Sequence, residues 1–262
     1  MKATPVSGAL GAEVEGIDLN HLSGAEETAL KAALDRYQVL RVRDQSLDRF
    51  QLAALGRRFG PPFLHPLVDN GYDDCPEVLE LLREPEDAEM FGGESWHSDI
   101  TWLKPAGYVS ILHAQELPEV GGDTAFASTI AAFETLSEGM KETLRGLTAL
   151  HAYHWYERRE DPEWTAEHPV VRRADDGREA LYVTRMFTSR LKGMTASESA
   201  PILNYLFDHQ ERAEFTCRFR WRLGDVLIWD NRFCLHYPIN DFSGPHGHRV
   251  RRRMIRTSTM EA

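Results

Sequence analysis

The chain has 262 residues, 42% of them hydrophobic and 27% charged, with a formal net charge of −11. That length can bury a substantial core, and the composition is ordinary for a globular protein. The acidic balance argues against a nucleic-acid or anionic-membrane partner, and no stretch approaches the roughly 20 apolar residues that span a bilayer. Met1-Lys2-Ala3-Thr4-Pro5 carries one basic residue with no apolar segment after it, so no signal peptide is expected. Cys75, Cys217 and Cys234 form no C-x-x-C, and a sparse, odd set suits reduced thiols in a cytoplasmic protein.

In chain order, Ser23-Gly24-Ala25-Glu26 reads as a capping box that opens a helix running to about Tyr37. Val39-Leu40-Arg41-Val42 predicts a buried strand. A second helix runs from about Leu47 to Phe59 and stops at Gly60-Pro61-Pro62. Residues 84–95 are polar, contain Gly92-Gly93 and read as a loop suited to an active-site lid. Tyr108 to Ala114 predicts a strand, Gly121-Gly122-Asp123-Thr124 a turn, and Thr129 to Arg145 a helix. Residues 153–168 read as an irregular, aromatic-rich excursion. Ala180 to Val183 is a strand, Ser197 to Gln210 an amphipathic helix, and Phe215 to Trp221 alternates like a half-exposed antiparallel strand. Val226 to Trp229 is a fully buried strand. The pattern predicts a mixed α/β chain with a mainly β core, a sandwich or jelly roll with helices outside it. No composition shift marks a linker, so residues 1–262 are expected to form a single domain.

The chemistry concentrates at His97-Ser98-Asp99, at His236 and in the arginine-dense run Arg249 to Arg256. In an extended segment, residues i and i+2 share a face, so His97 and Asp99 can hold one metal from one side. A distant histidine completes a two-histidine, one-carboxylate triad with open positions, the usual arrangement for non-haem Fe(II). His236 follows a buried strand and the turn Trp229-Asp230-Asn231-Arg232, whereas its rivals His246 and His248 stand in a Gly/Pro-rich loop. His113, His151, His154 and His168 read as structural. Arg252 and Arg256 flank Met254 on one strand face, and Arg249, Arg251 and Arg253 would face outward. An inward arginine is costly unless it meets an anion, and a guanidinium matches a carboxylate. The bland alternatives are hydrogen-bonding histidines and a solvated basic strand.

Taken together, Trp96-His97-Ser98-Asp99, Gly121-Gly122-Asp123-Thr124, Trp229-Asp230-Asn231-Arg232 with His236, and Arg252 with Arg256 resemble the taurine dioxygenase family of Fe(II)/2-oxoglutarate-dependent oxygenases. Gly11 to Leu19 and Arg57-Arg58-Phe59-Gly60 fit in order, so the resemblance spans nearly the whole chain. It implies a double-stranded β-helix, a jelly-roll barrel, with flanking helices. It implies Fe(II) on His97, Asp99 and His236, with 2-oxoglutarate and O2 as co-substrates and succinate and CO2 as products. Arg252 and Thr124 would hold the far carboxylate of 2-oxoglutarate, and His65, Phe187 and Arg256 would meet the substrate. The implied substrate is a small acidic molecule: a sulfonate, a sulfate ester or a carboxylate. A homodimer or homotetramer also follows from the resemblance. Desaturation, cyclisation or natural-product tailoring at the same iron, a zinc hydrolase or lyase, and a non-catalytic metabolite-binding barrel are the competing readings. The zinc reading leaves Thr124 and Arg252 without a purpose.

Overall fold

The computed structural model describes residues 1–66, 71–84, 95–153, 162–242 and 251–262. Among them stand sixteen strands and five α-helices, a mixed α/β chain dominated by strands. An eight-stranded sheet runs, edge to edge, Lys2–Pro5, Ala12–Glu15, Val39–Val42, Val226–Asp230, Gly107–Glu116, Arg252–Met260, Cys75–Arg83 and Gly71–Tyr72. A three-stranded sheet, Thr216–Phe219, Thr124–Ser128 and Cys234–Pro238, faces it. Between the two faces lie Leu112, Phe126, Phe219, Leu227, Trp229 and Met254, all buried. This apolar layer sets the spacing of the sheets, and the candidate site opens at its edge.

The other face of the large sheet packs on helices Gly24–Tyr37 and Arg49–Arg57, with Leu30, Leu34, Leu52 and Leu55 against Val42, Ile111, Ile228 and Ile255. Both helices start as the sequence predicts or close to it. Ser23 caps the first in a reciprocal capping box with Glu26, and Asp48 does the same with Gln51, so the second helix starts at Arg49. A second three-stranded sheet, Thr188–Leu191, Thr148–Ala152 and Thr165–Pro169, packs with helix Ala196–Gln210.

Two expectations are corrected. The stretch Thr129 to Arg145 is two helices, Thr129–Glu134 and Glu138–Arg145. Ser137 accepts a hydrogen bond from the Met140 amide and so caps a new helix, while Thr135 turns its hydroxyl back onto the Ala132 carbonyl. The end of the 153–168 excursion is regular: a 3-10 turn at Pro162–Trp164 leads into strand Thr165–Pro169. The rest of that excursion, including His154, lies outside the described residues, as do most of the expected lid over 84–95, His246, His248 and Arg249. Among the described residues no helix is long and apolar enough to cross a membrane.

Candidate active site

His97 and His236 meet through the backbone. Each donates its amide to the other's carbonyl, at 3.1 and 2.7 Å, in a single antiparallel bridge. The His-x-Asp segment is therefore not part of a regular strand. One bridge, with the Ser98 hydroxyl donating to the Cys234 carbonyl at 2.9 Å, is enough to pin it to strand Cys234–Pro238. The two imidazoles lie 4.0 Å apart, centre to centre. Asp99 Oδ1 stands 3.8 Å from His97 Nε2 and 3.7 Å from His236 Nε2. Among the described residues these three side chains are the one group of His, Cys, Asp or Glu with metal-binding spacing, and all three are buried.

The protonation pattern sharpens this geometry. His97 Nδ1 lies 2.8 Å from the Ser95 carbonyl, which can only accept, so Nδ1 carries the proton and Nε2 presents its lone pair. Burial pushes the pKa of both imidazoles down and keeps them neutral. Burial would raise the Asp99 pKa, but Arg256, the two histidines and Ser110 outweigh it and hold the carboxyl well below the usual range. Two neutral imidazoles and a carboxylate thus converge in a buried space. Such a set is unfavourable alone and suits a divalent cation that accepts nitrogen and oxygen ligands, which Fe(II) does.

A directed chain of hydrogen bonds fixes the carboxylate. Ser110 Oγ donates its only proton to Asp99 Oδ2 at 2.8 Å. It must therefore accept from Ser258 Oγ at 2.9 Å and from Asn231 Nδ2 at 2.9 Å. Ser258 in turn accepts from Arg256 Nε at 3.2 Å. Asn231 Oδ1 receives the Asp99 amide and the Trp229 indole N–H, both at 3.0 Å. Ser110, Ser258 and Asn231 carried no role in the sequence reading. Ser258 had a signal, since it stands two residues after Arg256 and so on the same strand face.

The arginine register follows the alternation. Arg252, Met254 and Arg256 stand opposite Arg83, Leu81 and Leu79 on the neighbouring strand, and Arg252 and Arg256 line the cavity. Arg253 points away, to Glu80 and the Tyr72 hydroxyl, and Arg251 pairs with Glu84 and Glu116. Arg256 reaches Asp99 Oδ2 at 2.6 Å, so the residue expected to meet substrate also grips the carboxylate of the candidate metal site. Arg252 is half-buried as a residue, but its Nε is fully buried and has no partner among the described residues. Burial, then the nearby Arg83, lowers its pKa to about 10. Thr124 opens its strand at the same cavity and accepts the Trp221 indole N–H at 3.0 Å.

The cavity holds about 330 Å³, within the range of small-molecule sites. One side is aromatic: Phe63, Trp102, Tyr153 and Phe187, with Met186. Phe187 stands edge-on to His97 at 6.0 Å. His65 lies among Phe63, Trp102 and Tyr153, and burial followed by Arg256 lowers its pKa to about 4. Every site residue expected from the sequence therefore reaches this one cavity. Arg185, close in sequence to Phe187, does not line the cavity and pairs with Glu211 and Asp208.

The taurine catabolism dioxygenase TauD, TfdA family matches residues 2–258. An alpha-ketoglutarate-dependent sulfate ester dioxygenase from Pseudomonas putida is 34% identical over 258 residues, covering 91% of this chain and 84% of that protein. An alpha-ketoglutarate-dependent 2,4-dichlorophenoxyacetate dioxygenase from Cupriavidus pinatubonensis is 29% identical over 270 residues, covering 89% of this chain and 90% of its own length. The crystal structure of a taurine dioxygenase from Burkholderia xenovorans superposes with a TM-score of 0.87 at 32% identity, covering 100% of this chain and 89% of that one. With this match along its length and a His-Asp-His triad beside a buried arginine, the chain belongs to the taurine catabolism dioxygenase TauD, TfdA family, the Fe(II)/2-oxoglutarate-dependent dioxygenases.

Proposed function

We propose that this chain oxidises a small organic acid with an apolar body, using Fe(II) on His97, Asp99 and His236 and 2-oxoglutarate held at its far carboxylate by Arg252 and Thr124. The observation that carries this reading is the Arg252 guanidinium, whose buried Nε, without a partner among the described residues, shares one cavity with three convergent metal-type ligands. A buried guanidinium without an anion is strongly unfavourable, and a carboxylate is its natural complement. When bound, the iron supplies the oxidising chemistry: one oxygen atom of O2 goes to the substrate C–H bond and the other to 2-oxoglutarate, which leaves as succinate and CO2. The protein's share is orientation and a dry wall. Residues 1–262 act in this reading as one catalytic domain, with the two facing sheets as the halves of a double-stranded β-helix.

The substrate class follows from how little charge the site has to spare. Arg256 commits Nε to Ser258 and Nη2 to Asp99 and Ser110, which leaves Nη1 as its donor to an incoming acid among the described residues. His65 is neutral at pH 7 and brings no charge to the cavity. The apolar side is far better furnished, with Phe63, Trp102, Tyr153, Met186 and Phe187. An aryl or alkyl chain bearing a sulfate or carboxylate fills such a wall; a short zwitterion does not. Relatives named for sulfate esters and for 2,4-dichlorophenoxyacetate support this direction.

The test is succinate release with Fe(II), 2-oxoglutarate and ascorbate over a panel of medium-chain alkyl sulfates, aryloxy acids, alkylsulfonates and taurine. An alkyl or aryl acid is expected to stimulate release at least about tenfold more than taurine, since an unfilled aromatic wall forfeits upwards of 1.4 kcal/mol. Taurine as the best substrate would overturn the apolar assignment. Separately, Asp99→Ala is expected to abolish Mn(II) binding by calorimetry, and undiminished binding would refute the metal assignment.

A further inference from the structure

Trp221 lies just past strand Thr216–Phe219, is 7% exposed and lines the cavity beside Thr124 and Arg252. Its indole nitrogen can only donate, and it donates to Thr124 Oγ1 at 3.0 Å. A hydroxyl has one proton and two lone pairs, so the indole occupies an acceptor position and leaves the Thr124 proton to point elsewhere. No acceptor for that proton is paired with it among the described residues. The cross-strand neighbours of Thr124 are Phe219 and Pro238, and neither side chain carries an acceptor.

We infer that Trp221 is a positioning residue for the co-substrate: its N–H turns the Thr124 hydroxyl into a dedicated donor, aimed into the cavity end where Arg252 is buried. Without the indole N–H, the hydroxyl is free to rotate and to present a lone pair to an incoming carboxylate. The inference rests on the assignment of Thr124 and Arg252 to 2-oxoglutarate. It adds a residue that reaches the co-substrate only through another side chain. Its effect is on binding, not on the reacting atoms.

The experiment is a double-mutant cycle read by calorimetric binding of 2-oxoglutarate to the Mn(II)-loaded full chain. Trp221→Phe keeps an aromatic ring and removes the N–H. It is expected to raise the 2-oxoglutarate Kd about three- to tenfold, the scale of one ordinary hydrogen bond. Mn(II) affinity and the KM for the primary substrate are expected to stay within about twofold of wild type, the scatter of near-neutral changes. In a Thr124→Val background, Trp221→Phe is expected to change the Kd by less than about twofold, because there is no hydroxyl left to orient. Thr124→Ser retains the hydroxyl and is expected to retain the sensitivity to Trp221→Phe. If Trp221→Phe does not fold, Trp221→Leu carries the same comparison. An equal loss in the Thr124 and Thr124→Val backgrounds, or no loss in either, overturns the inference. Absence of 2-oxoglutarate binding in wild type sinks the co-substrate assignment itself, and this inference with it.

Discussion

Asn231 is fully buried, and its three hydrogen bonds all end at the metal-type cluster: the Asp99 amide, the Trp229 indole and the Ser110 hydroxyl. It is the reason Ser110 has its proton to give to Asp99. Asn231→Ala leaves two buried N–H donors without their acceptor, and each such group costs about 1–3 kcal/mol. It also lets Ser110 turn away from the carboxylate. The expected outcome is a loss of stability of about 2–6 kcal/mol and a 10–100-fold weaker Mn(II) affinity, the usual effect of removing a partner of a metal ligand. Chemical denaturation and calorimetry measure the two separately. Unchanged Mn(II) affinity in a destabilised variant would make the network scaffold only. The three ligands themselves were legible, because ligand chemistry and i, i+2 spacing are properties of residue type and order. Asn231 was visible in a motif but had no readable role. Two of its three partners, Ser110 and Asp99, lie 121 and 132 positions away and are brought to it only by the fold.

At the scale of elements, the Gly121-Gly122 turn is where local sequence controls the site. Gly121 and Gly122 take φ of +86° and +73°, in the left-handed region that favours glycine. A Cβ on Gly122 would lie 3.2 Å from Phe242 Cδ1 and 3.5 Å from Arg252 Nε. Gly122→Ala therefore strains the backbone and crowds the Phe242 ring, over which the guanidinium assigned to 2-oxoglutarate lies at 5.6 Å. About 1–2 kcal/mol of stability is expected to go, together with a several-fold rise in the 2-oxoglutarate Kd at unchanged Mn(II) affinity. Equal 2-oxoglutarate binding in the variant would mean that Phe242, not Arg252, absorbs the change. The turn was legible because paired glycines weaken both helices and strands and favour turns. The break at Thr135 to Ser137 was not, since the apolar residues Ile130, Phe133, Leu136, Met140 and Leu144 keep helical spacing through it. Periodicity reports which face is buried, and a local side-chain bond decided whether the backbone continued.

Over the whole molecule, buried neutral histidines set the acid limit of the fold. His168 Nε2 lies 2.8 Å from the Thr101 carbonyl and 3.2 Å from that of Leu103, tying strand Thr165–Pro169 to the segment just after Asp99. Burial, then Arg172, lowers its pKa to about 4, and burial holds His151, packed edge-on against it at 5.3 Å, well below its ordinary value. These two were read from sequence as structural, and the packing agrees. An imidazole with a lowered folded pKa is neutral in the native state and protonated in the unfolded chain across the interval between the two values. Its stabilising effect is complete above about 6.5 and is lost as pH falls toward about 4. Wild-type stability is therefore expected to fall between pH 7 and pH 5, before the depressed carboxylates titrate. His168→Gln retains a donor for the two carbonyls and removes the titration. At 3% exposure His168 supplies about 2 kcal/mol of this loss by pH 5, so the variant is expected to lose correspondingly less over the same interval. Urea unfolding at pH 7, 6 and 5 with Mn(II) saturating measures the slope. A slope identical to wild type would move the acid sensitivity away from His168, to His151 or to His65 at the cavity.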